Sequence, residues 1–178
     1  MDGPRQVLLG VALLLGCAAP AAAQSASLKA ELLKDWVDLK ETMRKLADEM
    51  PADKYSFKTT PPQRDFGQQV AHISGANLLN LAFLRAKRQP PMVSRNPTSK
   101  AQAIRDMDAS FDYGAAVINE FNDQTLLEVV QTNSFLGPSS RARVIGFLIG
   151  HTWDIYGADG GVPASERRGS PRKPAALI

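Results

Sequence analysis

Cysteine and histidine are the scarcest chemistry-bearing residues of this chain: 178 residues hold one cysteine, Cys17, and two histidines, His72 and His151. A lone thiol forms no internal disulfide, and removal of the segment containing Cys17 leaves no thiol nucleophile either. Aromatic residues reach only 7% and do not alternate with basic ones, which argues against nucleic acid as a partner. A glycine-rich phosphate loop, a Ser-His-Asp set and a paired-carboxylate motif are all missing. Metal-assisted chemistry is then the one reaction class with residues to support it. No internal repeat and no strand-like alternation stand out.

What remains is an ordinary globular composition, 44% hydrophobic and 22% charged, sufficient for one domain with a real core. The net charge of +3 is mild, and Arg167, Arg168, Arg172 and Lys173 supply much of it. At the other end, Arg5 precedes an apolar or small run over 7–16, followed by Ala21-Ala22-Ala23 before Gln24. This three-part pattern predicts a secretory signal peptide over 1–23, and hence a bacterial periplasmic or secreted protein. The apolar run is too short to span a bilayer comfortably. Leu14-Leu15-Gly16-Cys17 also resembles a lipobox, which leaves open a lipoprotein anchored through Cys17. Membrane attachment depends on that lipidation alone.

Apolar spacing predicts four long helices. In 28–50, Leu28, Leu32, Trp36, Leu39, Met43 and Leu46 recur at intervals of three and four, and Pro51 ends the run. Asp65 caps a second helix to about residue 87, apolar over so wide an arc that it belongs at the centre of a bundle. Thr98 or Ser99 opens the third, to about residue 121, with Ile104, Met107, Phe111, Ala115 and Ile118 in register. Asp123 is expected to cap a short helix, 133–137 to form a linker, and Pro138 to sit in the first turn of the fourth helix. Gly157, Gly160, Gly161 and Pro163 predict a break directly after Tyr156, with a disordered basic tail over 158–178. The fold class is all-α, a four-helix bundle over 28–157 with Leu32, Trp36, Val70, Ile73, Phe111, Phe147 and Leu148 facing inward.

Each histidine lies in a helical stretch, so two facing helices can bring the imidazoles together, as suits zinc or nickel inside a bundle. Two imidazoles are one short of a catalytic set, and position 155, one turn beyond His151, is isoleucine. Asp154, three residues after His151, is within reach of the same face and can join His72 and His151, with water completing a tetrahedron. The plainer alternatives are core histidines satisfied by hydrogen bonds and a solvated Asp154. Trp36, Trp153 and Tyr156 suit either a ligand pocket or a plain core. Arg141 and Arg143 suit either an anion or a solvated face.

Two longer stretches extend this pattern: Phe66-Gly67-Gln68-Gln69-Val70-Ala71-His72-Ile73, and Arg141-Ala142-Arg143-Val144-Ile145-Gly146-Phe147-Leu148-Ile149-Gly150-His151. With Asn133-Ser134-Phe135-Leu136-Gly137-Pro138 between them, they resemble the DinB-like (damage-inducible) superfamily over roughly 28–163. The resemblance implies an up-down-down-up four-helix bundle, often dimeric, with a divalent metal at one end of the core. It implies a metal held by one histidine of the second helix and a pair spaced by four on the fourth. His72 and His151 fill two of those positions and Ile155 leaves the third without a ligand. Relatives typically continue the fourth helix beyond the Tyr156-Gly157 pair, so a shortened fourth helix is expected here.

The expected function is an exported, non-catalytic or vestigial binding protein with a reduced site for weakly held zinc or nickel. A homodimer and a small-molecule ligand are its candidate partners. The rival is a metal-dependent hydrolase or thiol-dependent transferase using His72 and His151.

Overall fold

The computed structural model describes residues 26–160, with side chains up to residue 157. The expected signal segment, Cys17 and most of the expected tail lie outside the described residues. Five helices are present among the described residues: α1 (Leu28–Glu49), α2 (Phe66–Leu81), α3 (Lys100–Asn119), the short α4 (Asp123–Leu126) and α5 (Arg141–Gly160). None is long and apolar enough to cross a membrane.

Local chemistry sets the helix starts. Ser27 accepts from the Ala30 N–H, and Ser99 from that of Gln102, each satisfying a donor with no partner inside its helix. Asp65 and Gln68 form a reciprocal capping box at α2, with bonds of 2.8 and 3.0 Å. Asn122, rather than Asp123, caps α4, exchanging bonds with Thr125. Asp123 instead reaches back to α1. Its carboxylate accepts the backbone N–H groups of Leu28 and Lys29 at 3.0 and 2.8 Å and the Ser27 hydroxyl at 2.9 Å. An anion at a helix N-terminus meets both the free donors and the positive end of the helix dipole. That site on α1 therefore outcompetes a cap on a helix of one turn.

Two helix ends differ from the sequence expectation. α2 stops at Leu81 and tightens into a 3₁₀ turn over Ala82–Leu84, closed by Arg85 at φ 56°. The left-handed residue terminates the helix before Pro90-Pro91 can act. α5 starts at Arg141, after Pro138, and continues to Gly160 instead of breaking behind Tyr156. Single glycines within a helix cost only about 1 kcal/mol each, and Ala158 and Asp159 are compatible with helix, so Gly157 is carried through. The residues between α4 and α5 also hold a minimal antiparallel ladder, β1 (Val129–Val130) with β2 (Ser139–Ser140). It is too short for alternation to reveal in the sequence.

α3 and α5 each pack against both α1 and α2. The core among them includes Trp36, Leu39 and Met43 of α1, Val70 and Ile73 of α2, Met107 and Phe111 of α3, and Val144, Ile145 and Leu148 of α5. The Trp36 indole donates to the Phe111 carbonyl at 2.8 Å, and the two rings pack tilted with centroids 5.2 Å apart. Two residues expected in the core, Leu32 and Phe147, are only half-buried. Inside, Asn77 of α2 donates to the Ser110 hydroxyl of α3 at 3.2 Å, tying the two central helices.

Side chains fasten the helix ends to one another. The Lys100 ammonium, at the start of α3, donates to the Asp48 and Met50 carbonyls at the end of α1. The Arg141 guanidinium, at the start of α5, donates to the Leu84 and Thr125 carbonyls and to the Glu128 carboxylate, and lies over the Phe121 ring. Arg143 donates to the Leu136 carbonyl and the Ser139 hydroxyl. Arg141 is thus a structural tie, while Arg143 is exposed and holds its two partners through Nη1 alone.

Candidate functional site

Helical spacing brings the two histidines to one place. On α2, Gln68, His72, Ala76 and Leu79 recur at intervals of four and three; on α5, Phe147 and His151 stand four apart. These two rows line a pocket of about 720 Å³. The small residues Ala71, Gly75 and Ala76 in its α2 wall leave the open volume between the larger side chains. Asn80 of α2, Arg64, just before α2, and Arg95 and Asn96, in the loop before α3, complete the lining.

The His72 and His151 Nε2 atoms lie 3.2 Å apart, and their rings meet edge to face at 87°. At that distance one nitrogen donates a hydrogen bond to the other, which requires at least one imidazole to be neutral. Burial pushes the His72 imidazole below the ordinary histidine range, and the charges of Arg64 and His151 act in the same direction. Burial also lowers His151; the Asp154 carboxylate opposes that shift, while Arg64 adds to it. Phe147 stacks on His151 with rings 10° from parallel and meets Phe135 edge to face.

The same separation suits shared ligation. Two nitrogens at about 2.0–2.1 Å from one tetrahedral zinc stand roughly 3.3 Å apart. The remaining expectations fare differently. Ile155 is buried, at 4% exposure, so a hydrocarbon occupies the position one turn beyond His151. Asp154 is exposed, and among the described residues no three His, Cys, Asp or Glu side chains gather closely enough to hold an ion. The residues present therefore fit two ligands of a metal set rather than a complete one. Trp36 belongs to the core, and Trp153 packs edge to face on Tyr156 away from the pocket lining.

Arg64 and Arg95 are the pocket residues that sequence reasoning passes over. Both are exposed in polar segments, where a lone arginine resembles any solvated cation. Only the fold reveals that both border the pocket of the histidine pair.

A family model described as the DinB superfamily matches residues 36–156, well over half of the chain. Among solved structures, the crystal structure of a DinB-like protein from Bacillus cereus ATCC 10987 superposes with a TM-score of 0.60 at 20% sequence identity. The match covers 74% of this chain and 87% of the Bacillus protein. At that identity the likeness concerns the fold. No curated protein matches the chain significantly.

Proposed function

The chain belongs to the DinB superfamily, and from that premise we propose that it is an exported, non-catalytic binding protein built around a reduced divalent-metal site. The observation that carries this reading is the approach of His72 and His151 to 3.2 Å on the wall of an open pocket. Zinc or nickel would be held by these two imidazoles. Asp154 contributes charge from the exposed side of the same helix. The metal when bound supplies Lewis acidity. The chain's own part is to present two nitrogens from rigid helices, wall one imidazole with Phe147, and keep Ile155 in the third position. Two ligands hold a labile ion, and Arg64 nearby further disfavours a dication.

The helices are read as up-down-down-up. The bonds of Asp123 to the start of α1 and of Lys100 to its end support α3 running opposite to α1. Those of Arg141 to the end of α2 support α5 running opposite to α2. Export rests on the N-terminal apolar run and the Ala21-Ala22-Ala23 site. With the signal removed, the protein resides in the periplasm or outside the cell, unless Cys17 keeps it anchored as a lipoprotein. Exposed Leu79, and exposed Phe135 packed on Phe147, support a homodimer as an assembly.

The rival reading, a metal-dependent hydrolase or thiol-dependent transferase, draws on the same histidine pair beside a pocket of substrate size. Zinc titration of the purified chain and of His72→Ala separates the outcomes. The account expects weak, exchangeable binding that the substitution abolishes. Tight stoichiometric binding to the native chain would favour the enzyme, and binding unaffected by His72→Ala would remove the site altogether.

A further inference from the structure

The pocket beside the histidine pair has an electrostatic character that the metal reading does not use. Its lining contains Arg64 and Arg95, three side-chain amides and the two imidazoles, and no acidic residue. Four cations elsewhere stand beside carboxylates: Lys34 with Asp38, Lys40 with Asp112, Arg44 with Asp48 and Asp108, Arg141 with Glu128. Arg64 and Arg95 have no such partner among the described residues, although both border one concavity. Unpaired guanidiniums over a partly apolar pocket concentrate positive potential there. The planar fork of arginine matches a carboxylate in geometry as well as charge.

The other half of the pocket is apolar. Leu79 is 66% exposed, unusual for a leucine in a central helix, and this exposed surface borders the pocket. Ala71, Ala76 and the half-buried Phe147 ring continue the apolar wall. A volume of about 720 Å³ suits a small organic molecule. The geometry points to a small amphiphilic carboxylate as the ligand, its charge held by Arg64 and Arg95 and its hydrocarbon body laid on Leu79, Ala76 and Phe147. This inference rests on reading the pocket as a ligand site and names the class of ligand it takes. The arginines recognise the charge directly, and no metal is needed for it.

The test is calorimetric titration of the purified full chain with 4-phenylbutyrate, its uncharged amide and inorganic phosphate, in buffer stripped of metal by a chelating resin. The acid is expected to bind at least about tenfold more tightly than the amide or phosphate. Arg64→Gln and Arg95→Gln, both at exposed positions, should each weaken the acid at least about fivefold while leaving the helical spectrum unchanged. Equal affinity for acid and amide would overturn the charge recognition, as would arginine variants that bind like the native chain. Phosphate bound as tightly as the acid would overturn the apolar half, and no binding of the acid at millimolar concentration would overturn the whole. A separate zinc titration keeps the two readings apart. Acid binding without zinc binding removes only the metal site, and zinc binding without acid binding removes only this ligand class.

Discussion

Gly114 sits where α3 crosses the indole of Trp36, and a single added methyl group tests that packing. A Cβ at position 114 would lie 2.2 Å from Trp36 Cζ2, 2.5 Å from Cε2 and 2.8 Å from Nε1. Carbon atoms rest near 3.5–4 Å, so helix or ring would have to retreat by more than about 1 Å. The ring has nowhere to go: Trp36 is fully buried, packs on Phe111 and donates its N–H to the Phe111 carbonyl. Alanine gains about 1 kcal/mol over glycine from helix propensity. Against that stand about 1–3 kcal/mol or more for overpacking and a further 1–3 kcal/mol if the indole N–H loses its acceptor. The net expectation for Gly114→Ala is a loss of roughly 2–4 kcal/mol. Urea denaturation followed by circular dichroism measures it, with an unchanged slope showing that stability alone has altered. A variant as stable as the native chain, or about 1 kcal/mol more stable as propensity alone dictates, would refute the packing of α1 on α3.

Asp123→Asn should lower the thermal midpoint, by less than Gly114→Ala, because it weakens the tie between the start of α4 and the start of α1. The bonds to Lys29 and Ser27 hold the Asp123 carboxyl below its ordinary range. Its stabilisation is therefore present above the unfolded carboxylate pKa and lost as pH falls through the lower folded value. The gap in midpoint between native chain and variant should close in acid, and a gap that persists there would contradict the assignment. Phe147→Ala, at a half-buried position, should cost only about 1–2 kcal/mol in urea denaturation, against 3–5 kcal/mol for a fully packed phenylalanine. A loss in the higher range would mean that Phe147 is core rather than pocket wall.

Much of the helical framework is legible in the sequence because apolar spacing and caps are local signals. Trp36, Leu39 and Met43 fall on one face by spacing alone, and Asp65 and Ser99 stand where helix starts require acceptors. The misreadings arise where a distant partner or a backbone state decides. Asp123 reads as a cap for its own helix, yet its acceptor capacity goes to a helix terminus 95 residues away. Arg85 ends α2 through a left-handed conformation that no glycine announces. Gly157 looks like a breaker, but a glycine is tolerated within a helix when the residues after it can continue the turn. Phe147 shares the helical face of Val144 and Leu148 yet is only half-buried, beside the pocket. Within the site, the meeting of His72 and His151 was readable once two inward helix faces were assigned. Arg64 and Arg95 were not, because loop residues carry no periodicity to show where they point.

Position 155 tests the reduced metal site most directly. It lies one helical turn beyond His151, and its isoleucine side chain is buried. Ile155→His places a third imidazole where the histidine pair lacks one. Zinc titration by calorimetry, with circular dichroism confirming the fold, should show affinity at least about tenfold above that of the native chain. A folded Ile155→His variant whose zinc affinity equals the native value would contradict the account and leave His72 and His151 as a hydrogen-bonded pair of core histidines.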